Sequence, residues 1–278
     1  MADRVRREPG TAEQAQIVLP SLLNRVTHRE TPPVSSLVVI PTYNERDNLT
    51  ELTERLVGLK LPLDILFIDD NSPDGTGKLA DDLAQSFPRI SVLHRERKLG
   101  YGSAVVEGFR LALEREYDWV LQMDADLSHD PAAIPRLLEA AREHDLVLGS
   151  RYQGGVRVID WQIGRIVLSN LANDYARFVT GLPIRDITTG FRCYRRSALE
   201  AIAIEHLKAH GYGLLIETAY RVWRAGGRLA EVPIIYYGRH SGSSKLSRST
   251  ILEAAWIVWR LRLGSPRRSP RKPAIRLF

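Results

Sequence analysis

Two aspartates, Asp124 and Asp126, stand one residue apart at the end of an apolar run, residues 119–123. The run predicts a buried strand that delivers both carboxylates at its carboxyl end. Ligands bind beyond the carboxyl ends of strands in open α/β sheets, and two such acids can hold Mg²⁺ or Mn²⁺. Taken alone, the pair is more typical of a solvated Asp-x-Asp turn. A metal site is therefore predicted only in combination with the rest of the chain.

Two further apolar runs end in side chains that could bind a nucleotide. Residues 36–41 lead into Tyr43 and Glu45, and residues 63–68 lead into Asp70. Tyr43 could lie against a base, while the two acids accept hydrogen bonds from base or ribose donors. Each feature alone is also typical of an ordinary turn or of core packing. Three strand ends of this kind, in this order, favour a single binding crevice.

The elements that must position these residues alternate along the first half of the chain. Apolar strands are predicted at 36–41, 63–68, 90–94, 119–123 and 145–149, separated by helical segments with short connections. This alternation predicts parallel strands, right-handed crossovers and helices on both faces of the sheet. The predicted fold class is therefore α/β, with a mostly parallel sheet.

The helix at residues 45–58 is predicted to start with Asn44 or Thr42 as its capping residue. The second half of the chain is less regular, with a loop or short strand at 186–192 and a strand at 229–235. Further helices are predicted at 161–180, 196–203, 214–225 and 249–263. The pattern of the helix at 161–180 is amphipathic.

The composition bounds the class of protein. With 44% hydrophobic and 26% charged residues the chain is not wholly disordered. Its one cysteine, Cys193, cannot form an internal disulfide, which fits a reducing compartment. No apolar run approaches eighteen residues and no secretory signal is recognisable, so we expect neither a transmembrane helix nor secretion.

The predicted organisation has four parts. Residues 1–35 form a mobile extension with one short helix near 12–26, and residues 36–250 form the catalytic domain. An amphipathic helix follows at 251–263, and then a basic, disordered tail at 264–278. The tail suits an anionic surface, either phospholipid or nucleic acid, or it is simply a solvated end. Because the domain itself has no basic reading helix, no nucleic-acid partner is predicted.

The motifs together resemble the family-2 glycosyltransferases, and within them the dolichol- or polyprenol-phosphate mannose synthases that have a single catalytic domain without transmembrane helices. The resemblance covers residues 36–250. The matching segments are 39–49 (VIPTYNERDNL), 68–76 (IDDNSPDGT), 98–102 (KLGYG), 123–129 (MDADLSH), 149–152 (GSRY) and 244–246 (SKL).

This resemblance implies a GT-A-type, Rossmann-like fold and a divalent cation, Mg²⁺ or Mn²⁺. It implies inverting transfer of mannose from GDP-mannose to a polyprenyl phosphate, giving polyprenyl phosphate mannose and GDP. Two alternatives stay open: the same chemistry with another nucleotide sugar such as UDP-glucose, or a non-catalytic nucleotide-binding scaffold.

The resemblance also assigns residues to roles. The donor site falls on Pro41, Tyr43, Glu45, Ile68, Asp70, Asp124, Ala125, Asp126, Arg239 and Lys245. Asp124 and Asp126 would hold the metal, and Ser128, where some members carry Gln, would bind it directly or through a water. Arg151, Arg165 and Ser169 would hold the acceptor phosphate. The residues expected to carry catalysis are Asp126, Arg151 and Lys245.

The acceptor defines the mechanism and the expected location. A lipid phosphate is already anionic at neutral pH, so no general base is needed, and a glycine- and serine-rich loop at 237–244 is predicted to close as a lid over the diphosphate. We expect a cytoplasmic enzyme attached peripherally to the cytoplasmic face of a membrane. The helix at 251–263 with the basic tail would bind an anionic membrane surface. The alternatives are that this helix packs on the core and that a membrane-anchoring partner protein supplies the attachment.

Overall fold

The computed structural model describes residues 36–207, 211–238 and 248–264 of the 278-residue chain, and the side chains of Tyr212 and residues 248–255 are not described. The predictions for residues 1–35, for the tail at 265–278 and for Arg239 and Lys245 in the predicted lid therefore lie outside the described residues.

Seven strands and eight α-helices make up the described part of the chain. The strands are β1 (Ser36–Thr42), β2 (Leu63–Asp69), β3 (Ile90–His94), β4 (Trp119–Gln122), β5 (Leu146–Ser150), β6 (Arg192–Arg195) and β7 (Leu229–Pro233). The helices are α1 (Arg46–Gly58), α2 (Thr76–Ser86), α3 (Tyr101–Glu114), α4 (Ile134–Ala141), α5 (Ile163–Thr180), α6 (Arg196–Ala201), α7 (Gly211–Arg224) and α8 (Arg248–Gly264). Short 3₁₀ turns at Pro131–Ala133 and Ile204–His206 complete the order.

The sheet has the strand order β3-β2-β1-β4-β6-β5-β7. Within the described residues, β6 runs antiparallel to β4 and β5, and the other neighbouring strands run parallel. This confirms the predicted mostly parallel sheet. It also places β1 between β2 and β4, so the carboxyl ends of these three parallel strands lie side by side.

The strand β6 differs from the prediction, which gave a loop or short strand at 186–192. Its sequence, RCYR, has an arginine at each end and no apolar run to mark it. Arg192 is nevertheless fully buried. Its guanidinium donates to the carbonyl oxygens of Thr189 and Leu215, at 2.8 and 2.7 Å, which compensates for the loss of water.

Two apolar clusters cover the two faces of the sheet, because successive side chains of a strand point to opposite sides. Leu37 and Val39 of β1 join a cluster with α3, α5, α6, α7 and α8. Val38 and Ile40 join a second cluster with α1, α2 and α4. Helices therefore lie on both faces, as predicted. Helix α3 approaches β1 so closely that a Cβ on Gly108 would collide with the side chain of Val39.

Helix α1 begins without a side-chain cap from either predicted residue, Asn44 or Thr42. Instead the backbone N–H groups of residues 44–46 donate to side-chain oxygens of the loop after β2 and of the first residue of α2, at distances of 2.9–3.3 Å: Ser72 Oγ, Thr76 Oγ1 and Asp74 Oδ2. The capping prediction was wrong: the N–H of Arg46, the first residue of the helix, is accepted instead by Asp74 of a neighbouring loop. Asn44 itself has a φ of 58°, not the extended backbone of a capping residue.

Among the residues that the structure describes, no helix combines the length and apolar character needed to cross a bilayer.

Candidate active site

The loops after β1, β2 and β4 each turn on a residue with left-handed backbone. These residues are Asn44, Asn71 and Leu127, with φ angles of 58°, 57° and 59°. Asparagine tolerates this conformation, whereas a leucine there costs about 1–2 kcal/mol. Leu127 is buried in the apolar cluster under α1 and α4, and that burial offsets the strain. The turn bends the chain sharply directly after Asp126.

Asp124 lies just beyond the end of β4, in a hydrogen-bonded row of side chains. The Tyr101 hydroxyl donates to Asp124 Oδ1 at 3.1 Å and accepts from the amide nitrogen of Gln122 at 2.7 Å. Gly190 leaves room for this contact, because a Cβ at that position would lie 3.0 Å from Asp124 Oδ1 and from the Tyr101 hydroxyl. Tyr101 therefore orients the Asp124 carboxylate, in space that the absence of a side chain at Gly190 leaves open.

Asp126 is buried and fixed from the same loop. Its Oδ1 accepts the Ser128 hydroxyl at 2.5 Å and the Ser128 backbone N–H at 3.2 Å. Burial, with the nearby Asp126 and Asp124 carboxylates, raises the pKa of Tyr236 to about 12. Tyr236 is thus a neutral phenol at physiological pH. Ser128 orients Asp126, and its predicted role towards a metal stays a prediction.

His129 packs against the same loop and supports its conformation, and it is not placed for proton transfer. Its Nδ1 accepts the Asp124 backbone N–H at 3.3 Å, and its ring stacks on Phe191 with 5.1 Å between centroids. Burial lowers the pKa of His129, although the charges of Asp124 and Asp126 oppose that shift. The neutral imidazole therefore packs and positions the loop.

Asp70, predicted on the donor side, joins the end of β2 to the start of α3. Its carboxylate oxygens accept the backbone N–H groups of Leu99 and Gly100 at 2.9 and 2.7 Å, and Arg95 Nη1 lies 2.9 Å from Oδ1. The Asp70 and Arg95 side chains are almost fully buried, so the pair makes a strong local clamp. The role of Asp70 towards base or ribose stays a prediction.

The other predicted donor residues of the described chain line the same edge. Pro41 and Ile68 are directly paired across β1 and β2, and Ala125 is buried between the two site aspartates. Lys98 Nζ lies 3.7 Å from the centre of the Tyr43 ring, a cation–π contact that engages one face of the ring. The Glu45 carboxylate accepts the Asn48 amide at 2.9 Å.

Arg151 follows β5 and is held by a buried partner that the sequence interpretation missed. Asp186 accepts three hydrogen bonds from it, from the backbone N–H, Nε and Nη2, at 2.9, 2.7 and 2.6 Å. The Thr188 hydroxyl accepts a further bond from Nη2 at 2.8 Å. Burial alone lowers the pKa of Arg151, but Asp186 holds that pKa above its ordinary value. The guanidinium is therefore permanently charged and locked in place.

Asp186 is itself fixed by Glu231 of β7. The two carboxylate oxygens of Glu231 accept the backbone N–H groups of Asp186 and Arg185, at 2.8 and 2.9 Å. The run Asp-Ile-Thr-Thr-Gly at residues 186–190 was a signal for such a loop, since it concentrates turn residues with side-chain oxygens. The interpretation of this stretch as a loop or short strand left its contact with Arg151 unrecognised.

The three predicted acceptor residues come together around two aromatic rings. The Arg165 and Arg151 guanidinium carbons lie 4.0 and 5.5 Å from the centre of the Trp161 ring. Ser169 lies one turn after Arg165 on α5, with its side chain near the buried hydroxyl of Tyr152. Burial raises the pKa of Tyr152, so this phenol is also neutral. Two guanidinium groups beside neutral hydroxyls can bind a phosphate.

The two aspartates suit a divalent cation that also binds a diphosphate. Among the described residues, no three His, Cys, Asp or Glu side chains converge as a closed metal cage. Mg²⁺ and similar hard ions commonly use one or two carboxylates, with water and substrate phosphates as the other ligands. The donor set of Asp124 and Asp126 fits that arrangement.

Comparison with known sequences gives the following matches. The profile described as glycosyl transferase family 2 matches residues 37–203. A polyprenol monophosphomannose synthase from Mycolicibacterium smegmatis is 45% identical over 235 residues, covering 83% of this chain and 89% of that protein. An undecaprenyl-phosphate mannosyltransferase from Micrococcus luteus is 43% identical over 229 residues, covering 82% and 94%. A dolichol-phosphate mannosyltransferase from Pyrococcus furiosus is 36% identical over 231 residues, covering 81% of this chain and 62% of that protein.

Among solved structures, glucosyl-3-phosphoglycerate synthase from Mycobacterium tuberculosis has the same fold. Its complex with Mn²⁺, UDP and glucosyl-3-phosphoglycerate superposes with a TM-score of 0.59 at 20% identity, covering 84% of this chain and 81% of that one. The complex of the same enzyme with UDP alone gives a TM-score of 0.57 at 19% identity, with the same coverage. At this identity the likeness shows the fold alone, which confirms the expected GT-A-type architecture.

Proposed function

The chain belongs to glycosyl transferase family 2 and is a glycosyltransferase, and from that premise we propose that it transfers mannose from GDP-mannose to a polyprenyl phosphate. The products would be polyprenyl phosphate mannose and GDP. One observation carries the proposal: the guanidinium groups of Arg151 and Arg165 flank a single tryptophan ring, Trp161, and the Tyr236 ring contacts both Trp161 and His129 of the loop that carries Asp124 and Asp126. The names of the relatives from Micrococcus luteus and Mycolicibacterium smegmatis supply the sugar and the lipid class.

The donor side of the proposal rests on the three strand ends. Pro41, Tyr43 and Ile68 would contact the nucleotide, and Asp124 and Asp126 would hold Mg²⁺ or Mn²⁺ against its diphosphate. The bound cation would neutralise charge on the departing diphosphate. Glucosyl-3-phosphoglycerate synthase, which has the same fold, has been crystallised with Mn²⁺ and UDP, and this supports a divalent cation in general. The remaining donor residues, Glu45, Asp70, Ala125, Arg239 and Lys245, follow from the family resemblance.

On the acceptor side, the protein has to hold the anionic lipid phosphate close to the anionic diphosphate of the donor. Arg165 and Arg151 would bind the lipid phosphate, with Ser169 as a further hydrogen-bond partner. The contacts with Asp186 fix the Arg151 guanidinium, so that it would meet the phosphate in one orientation. The phosphate needs no general base, because it is ionised before it binds. Attack by a phosphate oxygen on the sugar carbon, with loss of GDP from the opposite side, would invert that carbon.

The acceptor also sets the location. A polyprenyl chain resides in lipid, so the enzyme would work peripherally at the cytoplasmic face of a membrane. The basic tail, the helix α8 or a membrane-anchoring partner protein would supply the attachment.

The experiment that tests this proposal is a product analysis. The purified full chain is incubated with polyprenyl phosphate, Mg²⁺ or Mn²⁺, and a panel of nucleotide sugars that includes GDP-mannose and UDP-glucose. Mass spectrometry should find polyprenyl phosphate mannose, formed from GDP-mannose. Product from UDP-glucose instead would replace the donor, and nucleotide binding with no product from any donor would favour a non-catalytic scaffold.

A further inference from the structure

Tyr101 lies in the segment 98–102 (KLGYG), a motif whose side chains have no role in the proposed function. It is the first residue of α3, and its ring packs against the apolar cluster on that face of the sheet. The hydroxyl at the other end of the side chain reaches beyond β4 and donates to Asp124 Oδ1 at 3.1 Å. The tyrosine therefore joins the start of a helix to a site carboxylate 23 positions later in the chain.

The start of α3 is itself held in place from the end of β2. Asp70 accepts the backbone N–H groups of Leu99 and Gly100, the two residues that precede Tyr101, at 2.9 and 2.7 Å. The Asp70 side chain is almost fully buried beside Arg95, so this clamp allows little movement. The Tyr101 hydroxyl therefore has a defined position relative to the strand ends that form the site.

The direction of the hydrogen bonds between Gln122, Tyr101 and Asp124 follows from charge. An ionised carboxylate only accepts, so the Tyr101 hydroxyl donates its proton to Asp124. The oxygen of that hydroxyl is then left to accept the Gln122 amide N–H, at 2.7 Å. Gln122 is the last residue of β4 and is buried. The glutamine donates to the tyrosine and the tyrosine to the aspartate, and each bond polarises and strengthens the next.

Two features around this row of side chains indicate that it does more than fill space. The carbonyl oxygen of the Gln122 side chain is buried and has no hydrogen-bond partner among the described residues. Such an acceptor is unfavourable, and a methionine of similar shape would avoid it. On another side, Gly190 leaves open the space in which a Cβ would crowd both Asp124 Oδ1 and the Tyr101 hydroxyl. An unfavourable glutamine and an open position therefore accompany one hydrogen bond to a site carboxylate.

This hydrogen bond matters because the two site aspartates carry like charges. Asp124 and Asp126 are one residue apart, so their carboxylates repel each other before a cation is bound. The Ser128 hydroxyl donates to Asp126 at 2.5 Å, and the Tyr101 hydroxyl donates to Asp124. Each carboxylate thus has its own hydroxyl donor, which orients it in advance of the ligand.

We propose that Tyr101, supported by Gln122, is a positioning residue for the donor: its hydroxyl holds the Asp124 carboxylate in the orientation that receives a diphosphate-bound divalent cation. Tyr101 acts through Asp124 and is not itself a ligand. Removing the hydrogen-bond partner of a metal-binding side chain typically weakens metal binding by about tenfold to a hundredfold. The inference rests on the proposed function for a donor that carries a diphosphate and a cation.

The test is the affinity of the full chain for a nucleoside diphosphate, measured by calorimetry in Mn²⁺ and again in excess chelator. GDP and UDP are both titrated, and the nucleotide that the unchanged chain binds is used for the variants. Tyr101→Phe removes the hydroxyl and keeps the ring. Tyr117→Phe is the matched control, because the Tyr117 hydroxyl also donates to an aspartate, Asp64 at 2.6 Å, near the amino ends of β2 and β4 and away from the site.

We expect Tyr101→Phe to bind the nucleotide about tenfold to a hundredfold more weakly in Mn²⁺, with little change in chelator. The control should bind like the unchanged chain under both conditions. Gln122→Met should weaken binding in Mn²⁺ by a smaller factor, because it removes only the support of the hydroxyl. The double variant should be no weaker than Tyr101→Phe, because the glutamine acts through the tyrosine. If the two substitutions add instead, the role of Gln122 is overturned.

Three further results decide the rest of the inference. Equal affinity of Tyr101→Phe and the unchanged chain in Mn²⁺ would overturn it and leave the proposed function intact. A loss of the same size in Mn²⁺ and in chelator would also overturn it, since Tyr101 would then serve the nucleotide or the fold and not the cation. If Tyr101→Phe loses only the binding that depends on Mn²⁺, but the unchanged chain mannosylates no polyprenyl phosphate, the inference stands and the proposed function fails.

Discussion

Replacing Asp186 by asparagine should disable the acceptor side of the enzyme from a position that has no predicted contact with donor. The substitution keeps the size of the side chain but removes the charge opposite Arg151. In the unchanged protein Arg151 donates three hydrogen bonds to Asp186, at 2.6–2.9 Å, and the two side chains are 7% and 0% exposed. An asparagine amide can accept at one oxygen, and its NH₂ group faces donors of the guanidinium.

The magnitude follows from the burial of the pair. Removing one partner of a buried ion pair costs about 3–5 kcal/mol, because the other charge stays without compensation. Asparagine retains one acceptor, so we expect about 3 kcal/mol of lost unfolding free energy for Asp186→Asn. Arg151 would also lose its fixed orientation, and we expect kcat/KM for the acceptor to fall tenfold or more.

Three measurements check this prediction together. Urea unfolding gives the change in stability, calorimetry gives GDP-mannose affinity, and kinetics with varied polyprenyl phosphate gives acceptor efficiency. Asp82→Asn is the matched control, because it removes the same charge from an exposed pair with Lys78 at 3.1 Å and should cost less than about 1 kcal/mol. If Asp186→Asn unfolds like the control and leaves acceptor efficiency unchanged, the buried pair does not hold Arg151 for binding.

Four further outcomes are expected. Asp126→Ala should abolish turnover and weaken donor binding in Mg²⁺ or Mn²⁺ while the domain stays folded; full activity in this variant or in excess chelator contradicts the metal assignment. Arg165→Ala should lower acceptor efficiency tenfold or more, from about 1.5–3 kcal/mol per charged hydrogen bond, and calorimetry should find donor binding intact. Removing residues 264–278 should reduce co-sedimentation with anionic vesicles at low salt and spare donor binding; equal sedimentation would make the tail irrelevant to attachment. Because the pKa of Tyr236 is about 12 against an ordinary 10, its contribution to stability is present below pH 10 and lost as pH rises to 12; unfolding of Tyr236→Phe should show a smaller fall over that range, by about 2–3 kcal/mol.

The elements around the donor side were predictable because their signals are local. An apolar run followed by turn residues and acids marks β1, β2 and β4, and their alternation with helices implies a parallel sheet with adjacent strand ends. The segment containing Asp124 and Asp126 needed no knowledge of distant residues to be recognised as a candidate site. Strand β6 escaped recognition because its buried arginine breaks the apolar pattern, and the partners of that arginine include the carbonyl of Leu215, which lies on another element.

Only the tertiary structure showed which residues contact the predicted site residues. Arg151 and Asp186 are 35 positions apart, and the backbone of Asp186 meets Glu231 45 positions later, so no short window of sequence contains the contact. The sequence by itself determined that Arg165 and Ser169 share a helix and that this helix is amphipathic. Periodicity shows that apolar residues form a row, but it does not show which side the protein core takes. Only packing decided which side faces the core. Asn173 accepts backbone N–H groups of the Asp186 loop, which buries it with Ala176, Val179 and Thr180, while apolar residues such as Ile163, Leu171 and Phe178 stay exposed.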